Sequence, residues 1–180
     1  MSLLALKRLD LDEVWWLVSP QNPLKPAEGM AALRRRLDTA RLRAAHPRIR
    51  VTVIETALGT RFTAETIAAL CGRYPRTRFV WLMGADNLMQ IPRWRDWQRI
   101  FRMVPVAVFP RQPYSMRSLG GKAARRFARF RVDAGRSRDL PGMEAPAWVF
   151  LDGPLHPASA TELRRRNDPG VWAPDLKDPR

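Results

Sequence analysis

The sequence predicts an α/β domain in which an open parallel sheet is covered by helices on both faces. Short apolar segments that fit buried strands alternate with longer segments whose apolar residues recur at helical spacing. That alternation is typical of parallel sheets, whose strands are joined by right-handed crossovers. The chain has 180 residues, of which 46% are hydrophobic, and this is enough for one domain with a core.

The first half of the chain supplies three predicted strands and three predicted helices. The strands are rich in Val, Ile, Trp and Leu and cover residues 13–19, 49–55 and 79–83. The helices carry apolar residues three or four positions apart and cover residues 3–9, 30–44 and 63–73. Prolines at positions 20, 23 and 26 predict a stiff loop after the first strand.

The second half continues the alternation. Helices are predicted over 85–90, 94–102 and 159–166, and strands over 104–109 and 148–151. Apolar residues at helical spacing between Met116 and Phe130 predict a further, basic helix, and a loop is predicted over 132–146. Residues 1–167 are therefore expected to form the domain, and 168–180 a loosely held tail.

The charge of the chain predicts anionic partners. The formal net charge is +15, and residues 111–138 hold nine Lys or Arg and one acid. Arg125, Arg126 and Arg129 fall mostly off the apolar stripe of the basic helix, which favours a solvated face over a nucleic-acid groove. One cysteine excludes an internal disulfide, and two histidines, each before a proline, argue against a histidine-bound metal. No signal peptide or membrane span is evident, so a cytoplasmic location is predicted.

Polar residues follow three of the predicted strands. Ligands of parallel sheets bind beyond the carboxyl ends of the strands, which directs attention to residues 19–25, 84–87 and 156–164. After Gly84, Asp86 and Asn87 offer a carboxylate and an amide for ribose hydroxyls or a polar ring, although Asp86 could equally cap the next helix. Trp94 could stack on a flat heteroaromatic ring, or it could belong to the core with Trp97.

Two further segments combine hydroxyls with a helix start. Ser159, Thr161 and Arg164 surround a helix N-terminus that could hold phosphate, yet Ser159 and Glu162 also form a capping box. Thr63 could face a ligand or be an N-cap. In the first loop, Asn22 and Lys25 offer an amide and an amine, and a solvated lysine is the alternative for Lys25.

Taken in order, these segments resemble the bacterial nicotinate-mononucleotide adenylyltransferases, which have a Rossmann-like fold. The resemblance runs from about Ser2 to Arg166 and includes the segments Val18–Lys25, Arg61–Thr63, Gly84–Leu88, Pro92–Trp94 and Ser159–Arg164. It implies transfer of the adenylyl group from ATP to nicotinate mononucleotide, giving deamido-NAD and pyrophosphate in NAD biosynthesis. Mg²⁺ is expected to be carried by ATP, with few protein ligands.

The resemblance also assigns roles to residues. Thr63, Asp86, Asn87 and Trp94 would line the nicotinate-nucleotide pocket. The ATP phosphates would lie against Ser159, Thr161 and Arg164, with Asn22 and Lys25 beside the phosphate path. Ala160 stands where a second serine is common, and Phe62 where tyrosine is common.

The family's opening segment has no counterpart in this sequence. That segment is a first strand and an H-x-G-H motif, and Met1 matches a position inside the helix that follows it. The resemblance therefore implies that the sheet lacks its first strand, and little or no turnover is expected of a chain without that segment. Two alternatives stay open: another nucleotidyltransferase, such as one acting on pantetheine phosphate, or a basic nucleic-acid-binding module.

Overall fold

A computed structural model describes residues 1–19, 33–111 and 113–151. Within these ranges every paired strand runs parallel to its neighbour, and helices lie between the strands along the chain. The predicted α/β class with a parallel sheet is confirmed. Five of the predicted site residues (Asn22, Lys25, Ser159, Thr161 and Arg164), the predicted helix over 159–166 and the predicted tail lie outside the described residues.

Among the described residues, the larger sheet has four strands in the order β3-β4-β6-β5. The strands are β3 (Trp81–Gly84), β4 (Val106–Phe109), β5 (Arg131–Val132) and β6 (Trp148–Phe150). Val106 of β4 pairs with Trp81 on one side and with Trp148 on the other. All four residues of β4 are buried, as expected for the interior of a parallel sheet.

The smaller sheet has two strands, β1 (Val14–Leu17) and β2 (Ile49–Thr52), paired in register from Val14 opposite Ile49 to Leu17 opposite Thr52. Among the described residues, β1 pairs only with β2, and β3 pairs only with β4. A cavity of about 750 Å³ lies between β1 and β3, lined chiefly by residues 10–17 and 76–82. The two parallel sheets thus present facing edges to one cleft.

The helices connect these strands and flank them. They are α1 (Ser2–Arg8), α2 (Leu33–Arg43), α3 (Ile54–Leu58), α4 (Thr63–Arg73), α5 (Ala85–Gln90), α6 (Trp97–Met103), α7 (Ser115–Leu119) and α8 (Lys122–Arg126). In the part of the chain that the structure describes, 3-10 helices cover Ile91–Arg93, Ala128–Phe130 and Ala134–Gly142. No helix in the described ranges is both long and apolar enough to cross a membrane.

Both faces of the four-stranded sheet are covered, because alternate residues of β4 point to opposite sides. Val106 and Val108 pack into a cluster with α4, α5, α6 and α8, whereas Ala107 and Phe109 pack into a second cluster with α1. In the first cluster the rings of Phe101 and Phe127 stack with centroids 4.5 Å apart. This two-sided burial holds the carboxyl edge of the sheet in place.

Several predicted elements differ from the structure. The basic helix predicted between Met116 and Phe130 is broken into α7, α8 and a 3-10 turn, because Gly120 and Gly121 interrupt it. The segment 132–146, predicted as loop, contains the end of β5 and the 3-10 helix Ala134–Gly142. The predicted strand over 49–55 ends at Thr52, so that Glu55 lies in α3. The helix predicted to begin at Trp94 begins at Trp97.

Candidate functional site

Asp86 lies at the carboxyl edge of the larger sheet, on the first turn of α5. Its Oδ2 accepts a hydrogen bond from Arg111 Nη1 at 3.0 Å. The alternative that Asp86 caps α5 is wrong, because Gly84 occupies the N-cap position and no side chain makes a cap hydrogen bond there. The carboxylate is therefore held by a residue from the neighbouring strand end, not by its own helix.

The second oxygen of this carboxylate, Oδ1, lies against Gly84. Asp86 Oδ1 is buried and has no hydrogen-bond partner among the described residues. It lies so close to Gly84 that a Cβ added there would be 2.4 Å from it. Only a glycine at position 84 leaves room for the carboxylate in this orientation.

Trp94 and Thr63 belong to segments that meet through Arg95. Arg95 lies over the ring of Phe62, 4.8 Å from its centroid, and its Nη1 is 4.0 Å from Glu65 Oε1. Phe62 immediately precedes Thr63, the first residue of α4, and Trp94 immediately precedes Arg95. The start of α4 is therefore a neighbour of the segment that follows α5. Asn87 lies on α5, seven residues before Trp94, and is half-buried.

The alternatives for these two residues have different outcomes. Thr63 is not an N-cap, because Phe62 holds that position and no side chain makes a cap hydrogen bond. Trp94 is half-buried and packs against the larger core cluster, so part of its ring contributes to the core. Trp97 is 8% exposed and is a core residue, as the helical spacing predicts.

A buried carboxylate lies at the carboxyl ends of the smaller sheet. Glu55 is 7% exposed and accepts hydrogen bonds from Ser19 Oγ, which follows β1, and from Thr66 Oγ1 of α4. Thr66 Oγ1 is also 2.9 Å from Thr60 Oγ1. Glu55 therefore ties the beginning of the 19–25 segment to the helix that begins at Thr63.

Sequence reasoning missed both Arg111 and Glu55. Arg111 comes two residues after β4, so its position at a strand end is a usable signal, but its place in the basic stretch over 111–138 favours a solvated side chain. Glu55 falls in a segment whose residues predict a strand, and only its burial distinguishes it from a solvated acid. No group of three or more His, Cys, Asp or Glu side chains suitable for a metal occurs in the described ranges.

Comparisons with known proteins agree on one family. The cytidylyltransferase-like family matches residues 3–166. A probable nicotinate-nucleotide adenylyltransferase of Parvibaculum lavamentivorans is 49% identical over 170 residues, which cover 94% of this chain and 83% of that protein. Another, from Cereibacter sphaeroides, is 56% identical over 164 residues, which cover 91% of this chain and 86% of that protein.

A solved structure supports the fold. The nicotinic acid mononucleotide adenylyltransferase of Plasmodium falciparum, complexed with APC, aligns with a TM-score of 0.54 over 86% of this chain and 68% of that one. Its sequence is 12% identical, so the likeness concerns the Rossmann-like fold alone. From the family match and the close relatives together, the chain belongs to the cytidylyltransferase-like family and, within it, to the nicotinate-nucleotide adenylyltransferases.

Proposed function

We propose that the chain's function is adenylyl transfer from ATP to nicotinate mononucleotide, giving deamido-NAD and pyrophosphate. The observation that carries the proposal is the Asp86 carboxylate at the carboxyl edge of β3, on an edge where parallel sheets bind nucleotides. The names and close similarity of the relatives supply the substrate class.

The reaction needs no nucleophile from the protein. The mononucleotide phosphate attacks the α-phosphorus of ATP, a bond forms between them, and the bond to pyrophosphate breaks. Such a step depends on holding the two substrates in line and on stabilising charge. Asp86, Asn87, Thr63 and Trp94 would bind and orient the mononucleotide. Ser159, Thr161 and Arg164 would hold the ATP phosphates, with Asn22 and Lys25 nearby and Mg²⁺ bound to ATP.

The test is an assay of dinucleotide synthesis from ATP and nicotinate mononucleotide, measured by the pyrophosphate that the reaction releases. Asp86→Asn is compared with the wild-type chain and with Asp139→Asn, which changes an exposed aspartate paired with Arg136. We expect turnover to fall at least tenfold in Asp86→Asn, which corresponds to about 1.4 kcal/mol of barrier, and to stay unchanged in Asp139→Asn. No dinucleotide from the wild-type chain would contradict the proposed function, and wild-type turnover in Asp86→Asn would contradict the role of the carboxylate.

Substrate choice is tested separately by thermal shift. Stabilisation by nicotinate mononucleotide, greater than by pantetheine phosphate, is expected. Preference for pantetheine phosphate would overturn the proposed substrate. Asp86→Asn should lose the stabilisation, whereas Asp139→Asn, which changes an exposed aspartate paired with Arg136, should keep it.

A further inference from the structure

Glu55 is a buried carboxylate that takes no part in the adenylyl transfer proposed above. It is 7% exposed and lies in the first turn of α3, three residues after β2 ends. Within the described ranges its side chain accepts hydrogen bonds only from hydroxyl groups and forms no ion pair. Burying a carboxylate costs free energy unless its oxygens are hydrogen-bonded, so these hydroxyl partners are what stabilise Glu55 at this position.

The two oxygens of Glu55 are bonded to different elements. Oε2 accepts from Ser19 Oγ, which follows β1, and Oε1 accepts from Thr66 Oγ1 of α4 at 3.3 Å. The backbone before Ser19 is held by the smaller sheet, because the N–H of Val18 donates to the carbonyl of Thr52 at 2.9 Å. Glu55 therefore connects the carboxyl ends of β1 and β2 to α4.

The start of α4 is held by Thr66 and not by a capping side chain. Phe62 is the N-cap residue, and no side chain makes a cap hydrogen bond there. The Oγ1 of Thr66 is 3.2 Å from the carbonyl oxygen of Phe62 and 2.9 Å from Thr60 Oγ1, and its N–H donates to the same carbonyl at 3.0 Å. Thr66 is 0% exposed. Its hydroxyl thus joins the first turn of α4 to Thr60 and to Glu55.

We propose that Glu55 is a positioning residue for the mononucleotide pocket: through Thr66 it holds the first turn of α4, and with it Thr63, against the carboxyl ends of the smaller sheet. The inference rests on the proposed function, in which Thr63 lines that pocket. Glu55 and Thr66 are both buried, so they act on the nucleotide through the position of the helix and not by contact. A pocket whose wall is already held in place binds more tightly, because less ordering accompanies binding.

Two substitutions of Thr66 separate the hydroxyl from the volume of the side chain. Thr66→Val replaces the hydroxyl by a methyl group of similar size, and Thr66→Ser keeps the hydroxyl. We expect calorimetric titration with nicotinate mononucleotide to show about tenfold weaker binding in Thr66→Val, which corresponds to about 1.4 kcal/mol, and a change below about threefold in Thr66→Ser. Binding of a non-hydrolysable ATP analogue should change less than about twofold in either variant. Wild-type affinity for the mononucleotide in Thr66→Val, or equal losses for both ligands, would overturn the inference.

A double-mutant cycle shows whether Glu55 acts through Thr66. Glu55→Ala and Thr66→Val should each weaken mononucleotide binding about tenfold, and the double variant should be no weaker than Glu55→Ala alone. Glu55→Gln should recover part of the affinity, because its amide oxygen accepts from one hydroxyl and its amide N–H can donate to the other. Losses that multiply to about 100-fold in the double variant would mean that the two residues act independently, which contradicts the inference.

Ser137→Ala is the matched control, because it also removes a buried hydroxyl. Ser137 is 3% exposed, and its Oγ donates to the carbonyl of Arg8 at 3.2 Å. The nearby Leu140 packs with Ala107, on the face of the larger sheet opposite to α4. Ser137→Ala should lower the free energy of unfolding in urea, as Thr66→Val does, and leave mononucleotide affinity unchanged. An equal loss of affinity in the control would show that general destabilisation suffices, and the positioning role would fail.

A measurement without ligand separates this inference from the proposed function. Failure of the wild-type chain to bind nicotinate mononucleotide would refute the proposed function alone. Amide hydrogen exchange then tests the held helix start: in Glu55→Ala the N–H of Thr66 should exchange at least about tenfold faster than in the wild type, while the amides of β4 keep their rates. An unchanged rate at Thr66, or equal acceleration in β4, would overturn the positioning role.

Discussion

Gly84→Ala perturbs the candidate pocket with a single methyl group. The added Cβ would lie 2.4 Å from Asp86 Oδ1, and the carboxylate must retreat by about 1 Å to reach the 3.4 Å of an ordinary van der Waals contact. The next nearest atoms, Arg111 Cδ and Asp86 Cγ, are 3.6 Å away and need not move for the methyl itself. The change therefore acts on the orientation of one carboxylate.

The expected effect on stability is small. Gly84 has φ −83° and ψ 161°, which alanine adopts without strain. Replacing glycine by alanine there stabilises the fold by about 0.4–1 kcal/mol, because alanine lowers the conformational entropy of the unfolded chain. Weakening the partly exposed ion pair with Arg111 acts in the opposite direction by up to about 1 kcal/mol. We expect the free energy of unfolding to change by less than about 1 kcal/mol.

The expected effect on binding is large. A hydrogen bond to a charged group contributes about 1.5–3 kcal/mol, and each 1.4 kcal/mol corresponds to about tenfold in affinity. We therefore expect mononucleotide affinity to fall between about 10- and 100-fold in calorimetric titration. Gly72→Ala is the control: it lies in α4, with nothing within 4 Å of an added Cβ, and should stabilise the chain by about 0.5–1 kcal/mol without altering affinity. Wild-type affinity in Gly84→Ala, or a loss of stability above about 3 kcal/mol, would refute this reasoning.

Three further predictions address the ring pocket, the core and the cysteine. Trp94→Ala should weaken binding of nicotinate mononucleotide more than binding of the ATP analogue, and equal losses would indicate a purely structural role. Phe101→Ala removes a side chain that is 0% exposed and should lower the free energy of unfolding by about 3–5 kcal/mol in urea; a loss below about 1 kcal/mol would contradict the packing. Burial raises the pKa of the Cys71 thiol above its usual 9.0, so alkylation at pH 7.5 should be slower than for a cysteine peptide and should accelerate as pH rises above 9; peptide-like rates at pH 7.5 would contradict it.

The elements that the sequence predicts correctly are those with strong local signals. The helix over Thr63–Arg73 agrees at both ends, because its apolar residues keep helical spacing and Pro75 follows. The buried strands β4 and β6 are short runs of apolar residues, a pattern that predicts interior strands of a parallel sheet. The prediction of a single basic helix is wrong because the apolar spacing continues across Gly120 and Gly121, whereas the helical backbone is interrupted there. Strand β5 has two residues, too few to leave a periodic pattern.

The candidate site is less accessible to sequence reasoning. Asp86, Asn87 and Trp94 are predicted because they follow or adjoin a strand end. The pairing of Asp86 with Arg111 joins residues 25 positions apart and depends on β3 lying next to β4. The burial of Glu55 likewise arises from contacts with Ser19 and Thr66 that only the fold creates. The roles of Ser159, Thr161, Arg164, Asn22 and Lys25, and the cytoplasmic location, stay predictions.

A crystal structure of the chain with bound nicotinate mononucleotide tests the central claim most directly. The account predicts the nucleotide at the carboxyl edge of β3, with a hydroxyl within hydrogen-bond distance of the Asp86 carboxylate and the ring against Trp94. A nucleotide bound away from Asp86 and Trp94 would contradict it.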